Sequence, residues 1–144
     1  MSAMYSVFPL SAEIKLWLDE MSVEYPRSAD GRNPQLAEIQ AAFAQLKGYS
    51  IKESDAELGE AWQAFIQKTE EAEENSWALL NILRLIDGPN EFYFEKGWPD
   101  LIVNITHLIS RFSGPLVLIC DSGGLPLVVS ADSDPTALSE AWCT

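Results

Sequence analysis

Apolar positions return at intervals of three and four residues through most of the first half of the chain, the spacing of helices with one buried face. Ser11 is placed to cap a helix running to about Ser22, with Ile14, Trp17, Leu18 and Met21 along one side. Tyr25–Gly31, interrupted by Pro26, reads as a loop. Asn33 then caps a second helix with Pro34 at its first position, Leu36, Ile39, Phe43 and Leu46 as its stripe, and Gly48 as its stop. Ser54 followed by Glu57 has the spacing of a capping box and predicts a third helix that turns Leu58, Trp62, Phe65 and Ile66 inward. The polar stretch Thr69–Ser76 either continues that helix or breaks it. Trp77, Leu80, Leu83 and Ile86 resume a helical stripe, which Asp87-Gly88-Pro89 closes.

The pattern changes in the second half. Glu91–Glu95 alternates, with Phe92 and Phe94 on one side and Tyr93 on the other, and reads as a strand. Pro99 opens a helix whose Leu101, Ile102, Ile105, Leu108, Ile109 and Phe112 cover a face broad enough for a central position against a sheet. Leu116–Cys120 and Leu125–Ser130 are apolar runs joined by Asp121-Ser122-Gly123-Gly124, a hairpin whose glycines supply positive φ. Neither run alternates with polar residues, which implies a sheet covered on both faces. Asp134 and Pro135 start a last short helix with Leu138 and Trp142. The expected fold is α+β in a single domain over residues 1–144. A mostly helical N-terminal half packs with a small three-stranded β-α-β-β-α C-terminal half. The strands either side of the Pro99 helix are expected to pair in parallel through a right-handed crossover.

Composition supports a self-sufficient core: 47% of the 144 residues are hydrophobic, with five Trp, six Phe and four Tyr. Charge narrows the partners. Twenty-two acids against nine bases give a formal net charge of −13, a field that repels nucleic acid and anionic membrane and draws basic partners. The first cationic side chain is Lys15, and no apolar run approaches the roughly 20 residues of a membrane span, so a cytoplasmic location is expected. Cys120 and Cys143 are expected to be two free thiols, since small disulfide-dependent domains carry more bridges.

The chemistry-bearing motifs are few. Cys120-Asp121-Ser122-Gly123-Gly124 looks like the nucleophile stretch of trypsin-like proteases, but that mechanism needs a histidine base held by a carboxylate. His107 is the sole histidine and falls in the middle of a helix. A hairpin turn accounts for the motif without catalysis. One histidine and two distant cysteines do not make the usual zinc ligand set. Asp121, Asp132 and Asp134 lack the ligand spacing of a calcium loop, and no glycine-rich phosphate cradle occurs. No catalytic residue, metal or cofactor is therefore assigned.

Acidic tracts remain. Glu53, Asp55, Glu57 and Glu60 surround the expected third helix start, where carboxylates complement the helix dipole. Glu70, Glu71, Glu73 and Glu74 have no such role and mutually repel, which suits a solvated loop or a basic partner. Together with Trp77 and Trp98 they are the expected partner-binding residues, with Tyr25 and Tyr49 as further aromatic candidates. Small size, heavy acidity and abundant tryptophan resemble bacterial immunity proteins of toxin–antitoxin and contact-dependent killing systems. So does the run Phe92-Tyr93-Phe94-Glu95-Lys96-Gly97-Trp98, followed by a helix and Gly114-Pro115-Leu116. That resemblance implies a non-catalytic protein, monomer or dimer, that neutralises a cognate toxin with a basic surface. The alternatives are an acidic secretion or assembly chaperone, and a small-molecule enzyme with a pocket near the Asp121–Gly124 turn.

Overall fold

A computed structural model describes residues 4–69 and 76–142 of the chain. In chain order the described residues form β1 (Tyr5–Pro9), α1 (Ala12–Glu20), α2 (Leu36–Phe43), β2 (Tyr49–Glu53), β3 (Trp62–Lys68), β4 (Trp77–Ile82), β5 (Tyr93–Gly97), α3 (Pro99–Ser113), β6 (Leu116–Cys120), β7 (Leu127–Val129) and α4 (Pro135–Ala141). The strands make one seven-stranded sheet in the order β2-β3-β4-β5-β1-β6-β7. Every neighbouring pair is antiparallel.

This architecture overturns the expectation of a mostly helical first half and a three-stranded sheet. Strands β3 and β4 stand where the third helix and the Trp77–Ile86 helix were expected. The burial of β3 explains why: Trp62, Ala64 and Ile66 are enclosed while Gln63 and Gln67 are exposed, a period of two. Trp62, Phe65 and Ile66 imitate a helical stripe only because apolar side chains occupy both faces of the strand. Likewise Ala78, Leu80 and Ile82 point inward on β4, and Trp77, Leu79 and Asn81 point outward. Ser54 caps no helix; its hydroxyl accepts the Gln63 backbone N–H at 2.9 Å. Glu60 accepts the Glu57 N–H at 2.8 Å. Hydroxyl and carboxylate satisfy a turn as readily as a helix end, so the capping pattern was ambiguous.

The expected parallel crossover is also corrected. Strands β5 and β6 are not neighbours, because β1 lies between them: Tyr5 is opposite both Phe94 and Cys120. The short run Tyr-Ser-Val-Phe-Pro carries too little alternation to announce a central strand. The other elements form close to their expected places. Ser11 caps α1, accepting the Ile14 N–H at 3.3 Å. Helix α2 begins at Leu36, after Asn33 and Pro34, with the Glu38 carboxylate accepting the Gln35 N–H at 2.9 Å. Asp134 caps α4, and β6 and β7 pair as a hairpin across Gly123 and Gly124, whose φ values are +110° and +92°.

The main core lies between one sheet face and a layer of three helices. Helix α3 crosses that face and buries Leu101, Ile102, Val103, Ile105, Leu108 and Ile109, with α2 and α4 beside it. Each such side chain contributes roughly 1.5–3 kcal/mol on leaving water. A second, smaller core forms on the opposite face, where Leu18, Ile14 and Trp17 of α1 pack with Leu10, Val117, Ile119 and Val128. Strand β6 is thus covered on both sides, as its unbroken apolar run implies. Helix α1 does not extend over the other strands.

The loop before α2 is locked to the rest at Gly31 and Arg32. Gly31 donates its N–H to Leu10 O at 2.8 Å, and the Arg32 N–H reaches Ser113 O at 2.9 Å. A Cβ on Gly31 would lie 1.9 Å from the Pro115 carbonyl oxygen, so only glycine lets these backbones approach. The Arg32 guanidinium makes two 2.7 Å hydrogen bonds to the Glu38 carboxylate and one of 3.0 Å to Phe112 O, joining the start of α2 to the end of α3. That hydrogen bonding holds the Glu38 carboxyl below the usual glutamate range, against the opposing effect of partial burial; the Gln35 N–H adds to the lowering.

Two outcomes follow from this junction. Gly31→Ala should destabilise the protein by about 3 kcal/mol through overpacking against a backbone that cannot move. Thermal unfolding should register this as a drop of roughly 6–12 °C, and a change within 2 °C would refute the close approach. For Glu38 the folded carboxyl binds its proton more weakly than the unfolded one, so the contribution is complete above the unfolded value of about 4.3 and disappears as pH falls through the folded value. Because the pair is partly exposed, Glu38→Gln should cost at most about 1 kcal/mol at pH 7. Urea melts should show the difference between the two proteins shrinking below about pH 4.

Candidate functional site

The residues expected to bind a partner divide into two groups. Glu70, Glu71, Glu73 and Glu74 lie outside the described residues. On either side of them the described chain ends at Thr69 and resumes at Ser76, where the Lys68 N–H donates to Ser76 O at 2.9 Å. Trp77 and Trp98 are brought together, the Trp98 N–H donating to Trp77 O at 3.0 Å. Trp77 packs on Phe65 with ring centroids 5.8 Å apart. Trp98, just before α3, is 42% exposed. In sequence the four carboxylates fall between β3 and β4, the strands that carry Phe65 and Trp77. Tyr25 and Tyr49 play other parts. Tyr25 donates to Asp19 at 3.0 Å beneath the Arg27 guanidinium, and the Tyr49 hydroxyl is 3.0 Å from Ser76 Oγ.

Strand alternation extends this cluster across the sheet. On the face opposite α3, the outward residues are Ser50 and Lys52 of β2; Gln63, Phe65 and Gln67 of β3; Trp77, Leu79 and Asn81 of β4; Tyr93, Glu95 and Lys96 of β5; and Ser6 and Phe8 of β1. An antiparallel sheet with one solvated face ordinarily turns polar side chains outward. Here the register sets Phe65 opposite Leu79, places Trp77 diagonally beside Phe65, and puts Tyr93 between Ser6 and Asn81. Phe8 is 42% exposed, and beyond β4 Leu83 is 75% exposed. The result is an aromatic and aliphatic band across strands that α1 leaves uncovered.

At the middle of the band is a polar pair. The registers Leu79↔Lys96 and Leu80↔Phe94 leave Glu95 as the extra residue of a β-bulge. Its carboxylate accepts a hydrogen bond from Asn81 Nδ2 at 3.3 Å. A carboxylate only accepts, so this contact fixes which end of the amide faces it. Asn81 Oδ1 is left buried and without a hydrogen-bond partner among the described residues, on a residue 3% exposed.

Other expected chemistry is dispersed. The His107 ring faces the Ala131 carbonyl at 3.2 Å through Nε2, which must therefore carry the proton; its Nδ1 is buried and has no partner among the described residues. Ser122 Oγ lies 2.9 Å from Cys120 Sγ, so the protease-like motif and the histidine hold different partners. Cys120 is a buried free thiol; Cys143 lies outside the described residues. Among the described residues no group of three His, Cys, Asp or Glu side chains could hold a metal ion. Glu53, Asp55, Glu57 and Glu60 are exposed at and beyond the end of β2, with no helix whose dipole they could complement. Away from the Asp121–Gly124 turn, a cavity of about 450 Å³ opens between the β2 edge, α3 and α4, lined by Tyr49, Asp100, Asn104, Thr136, Ser139 and Glu140. A second, of about 310 Å³, is lined by Asn33, Leu83, Arg84, Ile86 and Asn90. Among the described residues, no helix is long and apolar enough to cross a membrane.

Sequence reasoning singled out Trp77 and Trp98 but not Phe65, Leu79, Asn81, Glu95 or Phe8. The alternation that turns Tyr93 away from Phe92 and Phe94 was visible; the same alternation in β3 and β4 was masked by apolar residues on both faces. No family model matches the chain, and no curated protein or solved structure is significantly similar to it.

Proposed function

We propose that this is a non-catalytic protein-binding protein, an immunity protein that neutralises a cognate bacterial toxin by docking the uncovered face of β3, β4 and β5 against it. The observation that carries the reading is the band of half-buried side chains Phe65, Trp77, Leu79 and Tyr93 on a sheet face over which no helix of the described residues lies. Contiguous apolar surface of this kind costs solubility and is retained where a partner covers it. Large rings that bring area without many rotors are the side chains from which interface hot spots are built.

Charge supports a basic partner. With a net charge of −13, the protein attracts a cationic surface over distances comparable to the Debye length, which speeds encounter rather than prolonging residence. Residence is then the task of the aromatic band. Glu70, Glu71, Glu73 and Glu74, joined to the strands that carry Phe65 and Trp77, would act as the charged margin of this surface. Enzymes that cleave nucleic acid have basic clefts, so a toxin of that class fits the inhibitor's field.

The reading is tested by titrating the protein against its proposed cognate toxin and following association by surface plasmon resonance. Phe65→Ala and Trp77→Ala should each weaken binding at least 30-fold, about 2 kcal/mol, mainly by faster dissociation. Raising salt from 50 to 500 mM should slow association at least tenfold and leave dissociation nearly unchanged. Binding that survives both substitutions would remove the sheet face from the reading, and no binding at either salt concentration would end it.

A further inference from the structure

The orphaned oxygen at the centre of the band specifies more than a generic partner. Asn81 points to the outward face, yet it is 3% exposed because side chains on neighbouring strands close around it. Its Nδ2 is committed to Glu95, and Oδ1 accepts from no group among the described residues. A buried acceptor left unpaired costs about 1–3 kcal/mol. An apolar residue of similar shape, such as leucine, would avoid that penalty among Leu79, Phe65 and Tyr93. The arrangement becomes favourable when a donor arrives.

We propose that Asn81 Oδ1 and the Glu95 carboxylate receive an arginine side chain from a basic protein partner, with the Tyr93 ring beside them. This rests on the protein-binding reading and names the chemistry at the middle of its surface. Three features select a guanidinium. It donates in several directions within one plane, so one group can satisfy both an amide oxygen and a carboxylate, whereas an ammonium is a more compact and more strongly hydrated charge. It stacks on an aromatic face, and Tyr93 is the cross-strand neighbour of Asn81. It brings a positive charge to Glu95, which the bulge carries out of the regular ladder and which makes no ion pair among the described residues. Lys52 occupies the same face at its β2 end, and Lys96 follows Glu95 on β5 opposite Leu79, so the incoming cation should sit on the Tyr93 side of Glu95, away from both lysines. Gln63, exposed and directly opposite Asn81 on β3, is the side chain best able to swing aside and admit it.

The test is a nuclear magnetic resonance titration of the full chain, labelled with ¹⁵N and ¹³C. The probe is a short blocked peptide of alternating glycine and arginine, and its control is the same peptide with citrulline, which keeps the shape and loses the charge. The arginine peptide should move the Asn81 side-chain amide and Tyr93 ring signals saturably, and the citrulline peptide should bind at least tenfold more weakly. Glu95→Gln should weaken the arginine peptide at least fivefold, and Asn81→Leu should do the same while leaving the fold's spectrum in place. Should Asn81→Leu not fold, Glu95→Gln and the citrulline ratio decide alone. Equal binding of the two peptides, shifts confined to the acidic residues 53–60, or unchanged binding in Glu95→Gln would overturn the proposal. So would a concentration-dependent dimer that protects the same signals, because a second copy would then be the occupant. If the arginine effect is absent while Phe65→Ala and Trp77→Ala still weaken toxin binding, only this inference falls; if neither set of variants has an effect, the protein-binding reading falls with it.

Discussion

The structure depends on burying helix α3. Its sequence is apolar around so much of the circumference that no single contact could cover it: Leu101, Ile102, Val103, Ile105, Thr106, Leu108 and Ile109 are all enclosed. A wide sheet beneath and a helix on each flank meet that requirement, and these are the positions that the strands, α2 and α4 occupy. Strand β1 completes the arrangement. By pairing with β5 on one side and β6 on the other, it joins the two stretches of sheet that α3 separates in the chain.

Covering α3 commits one face of the sheet and leaves the other to be managed separately. Helix α1 is nine residues long and covers only the end formed by β6 and β7. The remaining strands keep aromatic and aliphatic side chains on a face without a helix, with an unpaired amide oxygen and a bulged carboxylate among them. A domain selected for stability alone would have polar residues at Phe65, Trp77, Leu79 and Tyr93 too, as it does at Lys52, Gln63 and Gln67. Local sequence and global fold usually agree, and positions where they part company tend to be functional. The strands that carry Phe65 and Trp77 are joined in sequence through the acidic stretch 70–74.

The locking of residues 30–32 shows the same economy at small scale. Gly31 admits backbone where a methyl group would collide with Pro115 O. Arg32 then satisfies both a carboxylate at the beginning of α2 and a carbonyl at the end of α3, where a cation also complements the helix dipole. A long loop thereby becomes a fixed part of the core boundary without contributing strand or helix.

What the sequence by itself determined was whatever rests on local, unambiguous signals. Ser11 and Asp134 as caps, Pro99 opening an amphipathic helix, the two glycines of the β6–β7 turn and the unalternating run of β6 each have one physical reading, and each formed. Glu95 as a bulge, β1 as a central strand, and β3 and β4 as strands were decided only by tertiary structure. In β3 and β4, apolar residues on both faces satisfy periods of two and of 3.6 residues at once, and Ser54 with Glu57 suits a turn as well as a helix start. The choice fell to the sheet because only extended strands could supply the broad platform that α3 requires. Once they are extended, Phe65, Trp77, Leu79 and Tyr93 come onto one face, a juxtaposition that depends on register between distant segments.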